Sequence, residues 1–188
     1  EYAYSLFMQF KYDEAIPLYE KLIAQGFDNF ESNFILGLCY EDQPDNEKAL
    51  KHYQKAVQFK SDNATCLFHL ALVEKAFNMD SLSMAHFNQS LEVSLPKGRA
   101  LRTYKWLADL HFQHHRYADA ARDFELCTLY DEEDNPLNYY NAAQLFIASK
   151  NKLKAKPYLQ MFLANANRLE DKKSAAQLIS KAKEQLKQ

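Results

Sequence analysis

Three histidines in the pattern His111-x-x-His114-His115 come nearest to a chemical site in this chain. His111 and His115 lie four positions apart, so a helix would place them on one face, as it does for pairs of zinc ligands. No Cys or carboxylate pair nearby completes a ligand set, and His111 stands where a buried side chain is expected. We therefore expect no metal site and no cofactor.

Other motifs that support catalysis are missing from the sequence. It has no Gly-rich phosphate loop, no His-Glu-x-x-His, no Gly-x-Ser-x-Gly and no Cys-x-x-Cys. The acidic run 131–134 lacks the alternation and the glycine of a calcium-binding loop. The prediction is that the protein is not an enzyme.

Composition and charge narrow the classes of partner. The chain has 188 residues, 47% of them hydrophobic, with only 3 Gly and 5 Pro, and no run of about 18 apolar residues that could insert in a membrane. The net charge of −2 divides into +7 over residues 150–188 and −9 over residues 1–149. The acidic part would repel phosphate, so no nucleic acid is expected. The basic part fits either a solvated face or a contact surface for an acidic partner.

The cysteines and the first residues bear on the compartment. Cys39, Cys66 and Cys127 are an odd number without a close pair, which favours buried free thiols and a reducing, cytoplasmic location. The chain begins at Glu1 without a Met and inside a helical pattern, as a truncated chain would. A secreted or periplasmic location therefore stays open, and the location is unknown.

An internal repeat is the strongest pattern in the sequence. A small residue followed four positions later by a ring or Leu recurs at intervals of 34, 34, 37 and 35 residues, at Ala15/Tyr19, Ala49/Tyr53, Ser83/Phe87, Ala120/Phe124 and Ala155/Leu159. Small residues also recur at one phase of the preceding segment, at Ala3, Gly37, Ala71, Ala108 and Ala143. A period near 34 predicts stacked helix pairs whose close approach requires small side chains.

The second unit, Leu36-Gly37-x-x-Tyr40 followed by Ala49-x-x-x-Tyr53 and Ala56, resembles the signature of the tetratricopeptide repeat. The resemblance implies an all-α, right-handed superhelix of about five helix pairs that binds proteins or peptides. Glu74 and His111 stand where the signature has Tyr, and Ser83 stands where it has Ala. The predicted units span about 1–29, 30–63, 64–97, 101–134 and 136–169, and an amphipathic capping helix covers 170–188.

Several local features follow from these units. Asn135 and Pro136 read as the N-cap and first residue of a helix, and Gly26 as a helix stop. Pro17 and Pro157 each lie two residues after the small residue that marks their repeat. We expect both prolines to lie near the first turn of the second helix of their pair. The three extra residues near 95–99 predict a longer connection and a change of pitch between units three and four.

The first helix of each pair is expected to line a concave groove. The inward positions of the five units give the predicted partner-binding residues Tyr4, Phe7, Met8, Phe34, Leu38, Phe68, Leu72, Arg102, Lys105, Phe112, Tyr140 and Gln144. We expect a hydrophobic segment near Phe34, Phe68 and Leu72, with its polar end near Arg102 and Lys105. The alternative is that these aromatic residues pack on one another or on helices that precede this chain.

One subclass of this family grips the C-terminal carboxylates of heat-shock chaperones with Lys, Asn and Arg side chains. The corresponding positions here hold Phe34, Leu38, His69, Arg102 and Trp106, so we do not expect that clamp. The leading hypothesis is a non-catalytic protein-interaction module, part of a larger protein or assembly. The alternatives are self-association through the open N-terminal edge, and a regulatory repeat domain of a larger enzyme or sensor.

Overall fold

A computed structural model describes residues 1–187, and over this range the secondary structure is α-helical apart from one 3-10 turn. The prediction of an all-α fold is confirmed. The helices are α1 Tyr2–Met8, α2 Tyr12–Ala24, α3 Phe30–Asp42, α4 Asn46–Phe59, α5 Ala64–Ala76, α6 Asp80–Val93, α7 Lys97–Gln113, α8 Tyr117–Tyr130, α9 Pro136–Ala148, α10 Lys152–Asn165 and α11 Lys172–Gln185; the 3-10 turn is Ala166–Arg168. Among the described residues, none of these helices is long and apolar enough to cross a membrane.

The turns inside the five helix pairs share one backbone hydrogen-bond pattern. Each has a non-glycine residue with positive φ, at Phe10, Pro44, Asn78, His115 and Lys150. The next residue in each turn donates its N–H to the carbonyl five positions earlier, as from Asn151 to Phe146 at 2.7 Å. This bond satisfies a carbonyl that the end of the first helix would otherwise leave unpaired. The five pairs therefore repeat in backbone detail as well as in sequence.

Polar caps fix several helix starts. The side chains of Asn29, Asn63 and Asn151 accept backbone N–H bonds from the first turns of α3, α5 and α10. Asn135 accepts the N–H of Leu137 at 3.0 Å with Pro136 at the first helical position, as predicted. Caps of this kind each stabilise a helix by about 1 kcal/mol.

The first compact unit, Glu1–Leu95, contains three helix pairs, α1 to α6. Its core includes Leu36, Tyr53, Cys66 and Leu70, none of them more than 1% exposed. Gly37 lies against the Tyr53 ring, and a Cβ added at Gly37 would come within 2.5 Å of Tyr53 Cε1. The signature glycine is therefore required by the close approach of α3 and α4.

The second compact unit begins at Pro96 and contains the pairs α7–α8 and α9–α10 with α11. One core cluster groups Tyr139, Tyr140, Leu159 and Phe162, and α11 adds the fully buried Ala182 to it. Leu178, Ile179 and Leu186 pack against the same cluster. The amphipathic tail thus covers the edge of the last pair with its apolar face, as expected for a capping helix.

Two local predictions are wrong. The connection between α6 and α7 is only residues 94–96, and the extra residues lengthen α7 to 17 residues instead of lengthening the loop. Helix formation satisfies the added backbone groups internally, whereas a longer loop would leave them to water. Pro17 and Pro157 lie inside α2 and α10, at the sixth helical position and so beyond the first turn, where each removes one helical hydrogen bond.

Candidate functional site

The second unit contains an open cavity of about 320 Å³ between α7 and α9, with α8 behind it. Its lining is Lys105, Ala108, Asp109, Phe112, Phe124, Asn141, Gln144 and Leu145. Three of the predicted groove residues, Lys105, Phe112 and Gln144, are thereby brought together on two neighbouring helices.

The cavity combines an apolar floor with polar groups on both sides. Ala108 and Leu145 are buried, while the Phe112 side chain is 51% exposed with its ring 5.6 Å from that of Tyr117. Asp109 accepts a hydrogen bond from Gln113 at 3.0 Å. Opposite them, α9 presents the amide of Asn141 and the side chain of Gln144, whose amide is paired with that of Gln185. Amides that face a peptide can bond its backbone, and the floor can accept an apolar side chain.

Phe124 is a lining residue that the sequence pattern identified as a repeat marker but did not assign to the groove. It occupies the marker position that holds Tyr53 and Phe87 in earlier pairs, where both side chains are fully buried. Phe124 is only partly buried because its ring faces the cavity. The repeat signature predicts a core ring at this phase, and only the tertiary structure shows that one of the rings is left accessible.

Two predicted groove residues of the second unit do not line the cavity. Tyr140 is 7% exposed, and its ring packs 5.0 Å from that of Phe162 in the core. Arg102 is exposed but lies outside the lining. Of the predicted polar end near Arg102 and Lys105, only Lys105 lines the cavity.

The predicted groove residues of the first unit differ in accessibility. Phe68 is 2% exposed and packs against Phe87 at 6.0 Å between ring centroids. Phe34 is half-buried and stacks on Phe30 at 5.4 Å, and Leu38 and Leu72 are also half-buried. Phe68 is thus a core side chain, whereas Phe34 keeps part of its ring accessible.

The predicted residues on α1 form an aromatic edge. Tyr4 and Met8 are 53% and 57% exposed, and Phe7 is half-buried with its ring 5.9 Å from that of Tyr12. Tyr2 and Phe10 extend this exposed edge at 69% and 77%.

A polar cluster accompanies Phe34 in the first unit. Glu41 accepts hydrogen bonds from the Tyr53 hydroxyl at 2.5 Å and from His69 Nδ1 at 2.9 Å, and the Tyr53 and His69 rings stack. Burial opposes ionisation of Glu41, but the hydrogen bond and charge of His69 and the bond from Tyr53 hold the pKa of this carboxyl below its ordinary value. The cluster is internally satisfied, so it fits a packing role.

The two residues that replace the signature Tyr, Glu74 and His111, each pair with a side chain twelve residues further along. Glu74 on α5 meets His86 on α6 at 2.8 Å, and His111 on α7 meets Asp123 on α8 at 2.6 Å. In the first of these pairs the acid is on the first helix and the imidazole on the second. In the other pair the order is reversed. Burial raises the pKa of Asp123 to about 6, against the lowering effect of the bond from His111.

The candidate zinc ligands His111 and His115 contact different partners in the structure. His111 is 9% exposed and engaged by Asp123, while His115 lies in the following turn and contacts the Tyr117 hydroxyl at 3.0 Å. Over residues 1–187, no group of three or more His, Cys, Asp or Glu side chains is arranged to hold a metal ion.

Parts of this sequence are similar to a known protein family and to one known protein. The family described as "Anaphase-promoting complex, cyclosome, subunit 3" matches residues 8–79. A segment of 111 residues is 23% identical to the DnaJ homolog subfamily C member 3 of Gallus gallus. That segment is 59% of this chain and spans only 22% of the length of the relative.

Solved structures resemble this chain over most of its length. YrrB, described as a TPR protein with an unusual peptide-binding site, has a TM-score of 0.74 at 16% identity, covering 95% of this chain and 88% of its own. MamA has a TM-score of 0.72 at 14% identity, covering 89% and 96%. PilF of Pseudomonas aeruginosa has a TM-score of 0.64 at 16% identity, covering 94% and 85%.

These likenesses agree with the helix pairs, their repeated turns and the glycine that seats Tyr53. The fold class is that of helical-repeat proteins. The chain has the fold of YrrB, a TPR protein, and resembles the tetratricopeptide repeat in its signature residues.

Proposed function

We propose that this chain is a non-catalytic module that binds a peptide segment of a partner protein in the cavity between α7 and α9. The observation that carries this proposal is the lining itself, in which Phe112 and Phe124 offer apolar contact beside the amide of Asn141. Lys105 and Asp109 bring opposite charges to one helix, so the cavity has no strong preference for a charged ligand. An uncharged segment with one large apolar side chain fits best.

We also propose the boundaries of the five repeat units and of the capping helix. We place five helix pairs at about 1–29, 30–63, 64–97, 101–134 and 136–169, followed by a capping helix from 170. The solved structure of YrrB, described with a peptide-binding site, supports assigning a peptide as the ligand class.

The test uses a display library of random peptides of about twelve residues. Peptides enriched on the wild-type chain are measured again on Phe112→Ser/Asn141→Arg, which changes two exposed lining residues. We expect affinity to fall at least about tenfold, since an apolar contact is lost and a bulky charge enters the cavity.

Leu129→Arg is the matched control, because Leu129 is 74% exposed and lies outside the cavity. It should leave peptide affinity unchanged, and all variants should keep the helical circular dichroism of the wild type. If no sequence is enriched, or if the enriched peptides bind the double variant as tightly as the wild type, the α7–α9 cavity is not a peptide site.

Self-association through the N-terminal edge is the second candidate function. Tyr2 and Leu18 lie in an open cavity of about 290 Å³ between α1 and α2, beside the exposed aromatic edge. A second copy of the chain could cover this apolar surface. Light scattering at increasing protein concentration should then show dimers for the wild type and monomers for Tyr2→Ser/Met8→Ser. A constant monomer mass for the wild type would exclude this function.

A further inference from the structure

A second apolar cavity lies at the start of α10 and is distinct from the one between α7 and α9. It measures about 310 Å³ and is walled by α9, α10 and the end of α11. Ile147, Leu159 and Leu186 form its apolar interior, with Leu159 only 2% exposed at the base. Leu153 stands at its rim with 86% of its side chain exposed. A leucine so exposed beside an apolar cavity offers additional surface to a hydrophobic ligand.

The rim of this cavity is basic. Lys152 and Lys156 line it, and Lys150 and Lys154 flank it on the same exposed stretch of chain. None of these four ammonium groups forms an ion pair with a carboxylate of residues 1–187, although Lys154 Nζ lies 5.5 Å from the centre of the Phe146 ring. Unpaired positive charge around an apolar cavity favours a ligand with negative charge around an apolar group.

The lysines stand where they oppose the helix dipole. In the other four pairs the second helix has an acidic residue in its first turn, as in Asp13 of α2, Glu47 of α4, Asp80 of α6 and Asp119 of α8. The first turn of α10 has no acidic residue and contains Lys152 and Lys154. Cations near a helix N-terminus are unfavourable for helix stability. A charge arrangement that lowers stability at one repeat only is typical of a binding site.

The wall formed by α11 is held in place by two reciprocal hydrogen bonds. Gln144 donates to Gln185 at 2.8 Å, and Gln185 donates back to Gln144 at 3.0 Å. This amide pair fixes the end of α11 against α9 and keeps the cavity formed before a ligand arrives.

We propose that this cavity binds an acidic peptide segment that inserts one large apolar side chain between Leu153 and Leu159 while its carboxylates pair with Lys152 and Lys156. The proposal goes beyond the proposed function, because the two cavities share no lining residue and the ligand here is acidic rather than uncharged. An anionic membrane or a nucleic acid would use the charge but would not insert a single apolar side chain into the cavity.

The probe is a fluorescein-labelled synthetic peptide of about twelve residues with a central Leu-Phe pair flanked by Glu and Asp. We expect saturable binding by fluorescence anisotropy, several-fold weaker at about 300 mM than at about 50 mM NaCl because salt screens exposed charges. The same peptide with Ser in place of Leu-Phe should bind at least about tenfold more weakly.

Three variants locate the binding. Lys152→Glu/Lys156→Glu should lower affinity at least about tenfold, and Leu153→Ser should lower it several-fold. The control Lys181→Glu/Lys183→Glu makes the same change of net charge at exposed positions of α11 outside the cavity and should bind nearly as the wild type.

The stability of Lys152→Glu/Lys156→Glu separates a binding defect from a folding defect. Acidic residues at the start of α10 agree with the helix dipole, so its melting temperature should equal or exceed that of the wild type. Loss of binding together with a lower melting temperature would count against the proposal.

Vesicles of phosphatidylcholine with about 30% phosphatidylserine test the membrane alternative. The wild type should not cosediment with them. Equal binding of the Leu-Phe and Ser peptides, equal losses in the α10 and α11 charge variants, or cosedimentation that depends on Lys152 and Lys156 would each overturn the proposal.

Discussion

At the scale of single residues, Gly37 shows how tertiary packing overrides local propensity. Alanine is favoured over glycine inside a helix by about 1 kcal/mol. A Cβ at Gly37, however, would lie 2.5 Å from Tyr53 Cε1, in a core where the Tyr53 side chain is fully buried. We expect Gly37→Ala to destabilise the chain by about 2 kcal/mol, measured by urea unfolding, because the ring must move out of a filled site.

Gly98 provides the matched control for this prediction. It also lies in a helix, α7, but a Cβ there meets nothing within 4 Å. Gly98→Ala should therefore be neutral or stabilising by up to about 1 kcal/mol. Similar unfolding free energies for the two alanine variants would show that the approach of α3 to α4 does not require glycine.

Asp123 is the residue whose charge should couple stability to pH. Burial raises its pKa from 3.8 to about 6, so the folded state holds a proton on Asp123 more tightly than the unfolded state. The stability contributed by this group is complete below about pH 3.8 and is lost as pH rises through about 6. Asp123→Asn keeps an oxygen that can accept the His111 bond but does not titrate.

We expect the wild type to gain about 2 kcal/mol relative to Asp123→Asn between pH 7 and pH 4, since a shift of one pKa unit corresponds to about 1.4 kcal/mol. Urea unfolding of both proteins across this range measures the difference, and titrations of groups that do not contact residue 123 cancel. A difference that stays constant, or that shrinks as pH falls, would contradict burial as the dominant influence on Asp123.

At the scale of elements, the positive φ in the turn of each helix pair is a point of strain. Lys150 has a φ of 62°, in the region that favours glycine, and its side chain is exposed. Lys150→Gly should stabilise the chain by about 0.5–1 kcal/mol, since relief of the left-handed backbone outweighs the entropy that glycine adds to the unfolded chain. Chemical denaturation of Lys150→Ala serves as the comparison: it removes the same charge, and an equal gain there would mean that backbone strain is not the cause.

The helices were predictable because several signals coincide. Apolar spacing, the small residues of the repeat and polar caps predict, for example, helices at about 12–25, 30–42, 46–59 and 64–76. These ends lie within a residue or two of those of α2 to α5. The failures have physical causes. Residues 97–99 could form either a loop or a further helical turn, and nothing in the local pattern decides between them. Pro17 and Pro157 were expected in the first turn because proline is least costly there.

The candidate site was predictable only in part. Helical spacing identified Lys105, Phe112 and Gln144 as residues of one groove, because side chains of known phase on paired helices share a face. It also assigned Phe68 to the groove, although the Phe68 side chain is buried. It did not assign Phe124 to the groove, although the Phe124 ring lines the cavity. Which ring of a repeat is covered depends on how the neighbouring helices pack, and a single-residue pattern does not contain that information.

At the scale of the whole molecule, the chain divides into two compact units at residues 95 and 96, the position where the repeat interval lengthens to 37. Each unit has apolar clusters of its own, around Leu36 and Tyr53 in the first and around Tyr140 and Phe162 in the second. Repeat proteins derive their stability from each repeat and its nearest neighbours, so a fragment that keeps these contacts can fold alone.

We therefore expect fragments 1–95 and 96–188 to be helical when produced separately and to unfold cooperatively on heating, as measured by circular dichroism. The first keeps three helix pairs, and the second keeps two pairs whose last edge is covered by α11. Removing residues 170–188 from the second fragment should abolish its cooperative transition, because the cluster around Tyr140 and Phe162 would lose the apolar face of α11. If fragment 96–188 is unfolded while the full chain is folded, its internal contacts do not suffice. If the truncated fragment melts like the longer one, α11 does not act as a cap.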